Sequence, residues 1–176
     1  MAEDAPRLRC KVSSDVAHLQ AVHEEHGWTP GEANIRPTPA NKEHKAARLE
    51  ELRGLYTVDW HHILDSVFGL PLLEDDDGRV FVAEEDFMAA LEARLPAVLR
   101  EQEFPYDLPT GTTHSVLWYL MEEGVDPPAD DAITADVGTG LTAQLGHDRF
   151  EFVWYENPFM TVPELFHVQV FWRTTP

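Results

Sequence analysis

Two histidines, His114 and His167, stand in short, strongly β-prone aromatic runs: His-Ser-Val-Leu-Trp-Tyr-Leu over 114–120 and Phe-His-Val-Gln-Val-Phe-Trp over 166–172. An imidazole titrates near neutral pH. One neutral ring can therefore accept a proton while a second, protonated, donates one or stabilises a developing oxyanion. Strand side chains alternate between faces, so His114, Val116, Trp118 and Leu120 share one side of their strand, and His167, Gln169 and Phe171 share one side of theirs. This predicts two imidazoles meeting on neighbouring strands, His114 as base and His167 as acid or oxyanion donor. The competing structural reading is two core-edge histidines satisfied by backbone carbonyls.

Around the pair lie groups suited to holding a ligand. Tyr106 and Asp107 sit between prolines in the loop entering the first histidine run, and Thr110-Gly-Thr112-Thr113 supplies hydroxyls and amides that could hold an anion. Asn157 follows a tryptophan-ended run and precedes Pro158, where an amide serves either as a turn cap or as a ligand clamp. Trp118 or Trp154 would provide a stacking wall. Metal chemistry is less well supported: His23-Glu-Glu-His26 spaces its histidines at i and i+3, whereas a zincin helix needs i and i+4. Neither a metal nor another cofactor is expected. Gly138-Thr-Gly140 lacks the third glycine and the preceding apolar strand of a dinucleotide fingerprint.

The elements that must position these residues are legible from period and punctuation. Residues 1–12 have no clear period and are expected to fray. Ser13 to Asp15 offers N-cap chemistry for a helix reaching about residue 26, and the prolines of 29–39 mark a linker. From Asn41 a helical pattern runs through Ala46, Leu49, Leu52 and Leu55. A second, capped by Thr57-Val-Asp, carries Trp60, Ile63, Leu64, Val67 and Phe68 and stops at Gly69 and Pro71. A short strand over 79–83 precedes a helix from Glu84 whose face reads Phe87, Leu91, Leu95, Val98 and Leu99, with a kink or break at Pro96. Strands are predicted at the two histidine runs and over 149–155, with weak helical character around 130–145. Helices first and strands later predict an α+β domain, with a mainly antiparallel sheet in the C-terminal half and helices packed against it. Residues 1–40 would form an N-terminal helix and Pro-rich linker, and 41–176 a single domain.

The set Phe104-Pro-Tyr106, Gly111-Thr-x-His114-x-Val-Leu-Trp118, Trp154-x-x-Asn157 and Pro163-x-x-x-His167-x-x-Val170-Phe-Trp172 resembles a domain-of-unknown-function family found in fungi and large DNA viruses. The likeness covers roughly residues 55–173, including the helix end from Trp60 to Gly69. The resemblance implies that His114, His167, Trp154, Asn157, Pro105 and Tyr106 belong to one shared site, and brings no activity with it. Two other histidine-bearing groups do not fit. The two-histidine phosphoesterases need His-x-Thr or His-x-Ser twice, where Val116 and Gln169 stand here. In the histidine-triad hydrolases the alternating positions after Val162-Pro163 would be histidines, yet Glu164, Phe166 and Val168 hold them, with His167 out of phase.

Composition bounds the partners. The chain has 176 residues, a formal net charge of -19 and a single cysteine, Cys10, which excludes an internal disulfide and a multi-cysteine zinc site. Residues 1–53 hold 8 Lys/Arg against 9 Asp/Glu, whereas 54–176 hold 5 against 23. So negative a body disfavours general nucleic-acid binding and suits a basic protein partner. No apolar run is long enough for a membrane span or a signal-peptide core, so a soluble, cytoplasmic protein is expected, in the host cytoplasm if the chain is viral. The leading expectation is a metal-independent hydrolase or transferase acting on a small phosphorylated or nucleotide-like ligand. The alternative is a non-catalytic acidic interaction protein.

Overall fold

The computed structural model describes residues 10–12, 38–106, 108, 110–122, 124–156 and 162–176. Helix α1, Pro39–Leu55, begins where the linker was expected to end. The Thr38 hydroxyl accepts from the Asn41 amide at 3.2 Å, and Pro39 occupies the first turn, where its missing N–H is not needed. Helix α2, His61–Ser66, starts later than Thr57-Val-Asp suggests, and the chain leaves it through Gly69 at φ 70°.

Strands β2, Leu73–Glu74, and β3, Val80–Phe81, form a small antiparallel hairpin around an aspartate turn, in which one Asp75 carboxylate oxygen accepts from the amides of Asp77 and Arg79. Helix α3, Glu84–Glu92, carries three acids in its first turn, where they complement the helix dipole. The single helix face predicted through Val98 and Leu99 does not form. Arg94 adopts φ 50°, Pro96 prevents resumption, and β4, Val98–Glu101, pairs as a strand instead.

The remaining elements are β5, Thr113–Trp118, α4, Asp130–Leu145, β6, Phe150–Glu156, and β7, His167–Thr174. With β1, Cys10–Val12, they build a sheet of order β1-β6-β7-β5-β4 in which every pairing is antiparallel. The protein is thus an α+β fold, with the sheet centred on its C-terminal half. Residues 10–12, expected to fray, form its edge opposite Val153 to Tyr155. The helix expected over 13–26 and residues 29–37 of the linker expected over 29–39 lie outside the described residues.

Both sheet faces are covered. On one, α4 inserts Ile133, Val137 and Leu141 against Leu117, Phe152, Trp154, Val168 and Val170. Gly140 makes that approach possible: a Cβ there would sit 2.8 Å from the Leu99 Cβ. Gly138 and Gly140 are therefore helix residues, and Gly140 serves packing. On the other face, α2, α3 and the hairpin bury Ile63, Leu64, Val82 and Ala90 with Val116, Trp118 and Leu165. Helix α1 closes the same side by way of the 103–106 loop. Asn41 donates to the Pro105 carbonyl at 3.1 Å, and His44 meets the edge of Phe104.

Candidate small-ligand site

The helix-covered face beside α1 and α2 carries both histidines. In the β5–β7 register His114 lies opposite Phe171, Val116 opposite Gln169 and Trp118 opposite His167. The imidazoles share a face of adjacent strands but are offset by four positions, about 13 Å along the strand direction. The predicted meeting does not occur, because Gln169 lies between them.

His114 is 2% exposed, and both its ring nitrogens are engaged. The Tyr106 backbone N–H, which can only donate, lies 3.2 Å from Nδ1, and Gln169 Oε1 lies 2.6 Å from Nε2. The neutral ring is therefore the Nε2–H tautomer, accepting from Tyr106 and donating to Gln169. Burial pulls its pKa down to about 4, with the glutamine bond opposing. Tyr106 and Phe171 cover the ring, with centroids 4.7 Å away in each case. A neutral imidazole with no spare lone pair cannot serve as the base expected of it; its work is to hold the Tyr106 loop and the Gln169 amide.

His167 differs. Its Nδ1 lies 2.8 Å from the Leu165 carbonyl, an obligate acceptor, so Nδ1 carries the proton and Nε2 the lone pair. The residue is 4% exposed, Trp118 packs over the ring at 4.3 Å, and Nε2 has no protein partner among the described residues. Burial lowers its pKa, the bond to Leu165 raises it, and the nearby Lys45 charge lowers it further.

That lysine is the feature the sequence conceals. Lys45, Leu49 and Leu52 follow one another along a single stripe of α1, and all three line a cavity of about 300 Å³ together with His167, Gln169 and Trp118. Ile63 and Ser66 of α2, with Val67 just beyond its end, close one side. The chain from Arg100 to Phe104, with Tyr106, closes another. Burial lowers the Lys45 pKa, no carboxylate offsets that effect, and the ammonium has no ion-pair partner among the described residues. Arg100, pointing from β4 into the same space, is likewise without a salt-bridge partner there.

Of the residues singled out from sequence, Tyr106, Trp118 and His167 line this cavity. Trp154 is fully buried on the opposite sheet face, donating from its indole N–H to the Thr134 hydroxyl at 3.0 Å, and cannot stack on a ligand here. Thr112 lies in the turn before β5, away from the cavity wall. Asn157 and Asp107 are outside the described residues. Among the described residues no group of three or more His, Cys, Asp or Glu side chains is placed to hold a metal ion. Lys45 had one sequence signal, a charged residue standing in register with Leu49 and Leu52. Gln169 had another, an amide on the inward phase of a strand.

No family model matches the chain, and no curated protein does. Among solved structures it is similar to the crystal structure of HTC1, at 18% identity over 91% of this chain and 84% of that one, with a TM-score of 0.46.

Proposed function

We propose that this protein binds a small anionic ligand, of the phosphorylated class, in the cavity between α1, α2 and the β4–β5–β7 face. The observation that carries the reading is Lys45: a partly buried ammonium without an ion-pair partner among the described residues, in a chain of net charge -19, on the wall of a cavity it shares with His167, Gln169 and Arg100, and with Glu101 and Glu103, neither of which pairs with it. A desolvated cation left unpaired is costly unless an anion completes it. A cavity of about 300 Å³ is at the small end of metabolite sites, which favours a small ligand over a polymer. If transfer or hydrolysis follows binding, His167 is the imidazole placed to take the proton, and Trp118 holds its ring.

The resemblance to the fungal and viral domain family fits this reading in amended form. We infer that its motifs mark a shared framework, in which the Pro-Tyr loop and His114 shape the cavity wall and His167 faces the ligand. The direct test is isothermal titration with a panel of phosphorylated small molecules, comparing wild type with Lys45→Ala. A ligand whose affinity falls about tenfold or more in the variant is expected, the scale of one charge-assisted hydrogen bond. Equal affinity in both proteins would remove the site.

A second reading, a basic protein partner on the acidic surface, is favoured by Leu73 and Met88. They are exposed beside the acids of 74–77 and 84–86. Such binding would be indifferent to Lys45→Ala and lost on neutralising those acids.

A further inference from the structure

The cavity wall offers hydrogen-bonding groups whose polarity is fixed by their partners outside it. Gln169 is 4% exposed, and its Oε1 is taken by His114 Nε2–H, so its amide nitrogen is the end left without a protein partner among the described residues. The assignment is forced by the chain Tyr106 N–H to His114 to Gln169, which begins at a group able only to donate. At His167 the Leu165 carbonyl fixes the opposite polarity, leaving Nε2 as an acceptor. Lys45 and Arg100 can only donate.

Resting on the anion reading of the same cavity, we propose that this site selects a protonated oxyanion. Its ligand presents acceptor oxygens to Lys45 and Gln169 and one O–H, on the anionic group or a neighbouring carbon, to His167 Nε2. A hydrogen phosphate satisfies this set. A sulfate, with the same shape and no proton, sets an oxygen lone pair against the imidazole lone pair. Sites that leave a buried polar group facing the wrong partner reject isosteres far more strongly than sites that merely differ in shape. His114 is then a positioning residue: it contacts no ligand, and orients the amide that does.

The test compares inorganic phosphate with sulfate at neutral pH and equal ionic strength, read by titration of the imidazole nitrogen resonances of His167. The expected result is phosphate binding tighter by about tenfold or more, with the Nε2 resonance moving on phosphate addition. In His167→Gln, whose amide can turn either end to the ligand, the two anions should come within about threefold. Equal affinities in wild type, with both lost in Lys45→Ala, would overturn the proton-reading inference and leave the anion site standing. No response to either anion would overturn both. The wild-type ratio decides the matter even if the variant fails to fold.

Discussion

At the residue scale the two histidines, alike in sequence context, have opposite roles because their strands meet different neighbours. His114 is enclosed by Tyr106, Phe171 and Gln169, and both ring nitrogens are used. Substitution by alanine leaves the Tyr106 N–H and the Gln169 carbonyl without partners beside a new void. It should cost about 2–4 kcal/mol in a urea denaturation experiment. A loss below about 0.5 kcal/mol would return His114 to the class of solvent-facing groups. Its titration makes a second prediction. The folded pKa of about 4 lies below the ordinary 6.5, so the unfolded chain binds a proton more readily throughout that window. Stability should therefore be complete above pH 6.5 and fall as pH drops toward 4, by about 3 kcal/mol from this group. His167, shifted in the same direction, adds to the slope. In His114→Gln, measured by denaturation at pH 7.5 and pH 4.5, the difference between the two pH values should shrink markedly.

At the element scale the close contact of α4 with β4 rests on one glycine of a pair. Gly140→Ala would place a methyl 2.8 Å from the Leu99 Cβ, and Gly138→Ala would meet nothing within 4 Å. Both gain about 1 kcal/mol of helix propensity. Only Gly140→Ala also incurs overpacking, typically 1–3 kcal/mol. Thermal melts should show Gly138→Ala stabilised and Gly140→Ala destabilised; the same sign for both would mean that α4 shifts freely. How much was readable beforehand follows the same division between local and tertiary causes. The strands at 113–118, 150–156 and 167–174 declared themselves through β-branched and aromatic runs with glycine and proline punctuation, whereas the helix at 130–145 showed only weak helical character in the sequence. That Val98 and Leu99 leave a helical pattern for a strand was not visible, because the pairing partner, Leu117 to Trp118, is remote in sequence. Nor was the edge strand 10–12, whose extended form depends on β6. For the site, alternation fixed which residues share a face with His114 and which with His167, but that the two faces coincide depends on the β5–β7 register. Their four-position offset is a matter of register, which no single strand encodes. Trp154 was misplaced for a related reason: in the sheet it stands on the phase of Phe152, facing α4, opposite that of Tyr155.

At the scale of the whole molecule, charge and cavity act in opposite senses. A body of net charge -19 repels polyanions at distances up to a Debye length, about 8 Å at physiological salt. The cavity wall carries Glu101 and Glu103 as well as Lys45 and Arg100, so on our proposal the anion is held by direct contact with Lys45 rather than by the field of the wall as a whole. Among the described residues no helix is long and apolar enough to cross a membrane. The account's central claim is that the Lys45 cavity is an anion site, and the most direct measurement is a crystal structure determined with inorganic phosphate present and sulfate absent. The predicted result is a phosphate within hydrogen-bonding distance of Lys45 Nζ and the Gln169 amide nitrogen, with one oxygen facing His167 Nε2. A cavity holding only water, or a Lys45 ammonium turned out to solvent while phosphate sits elsewhere on the surface, would contradict it.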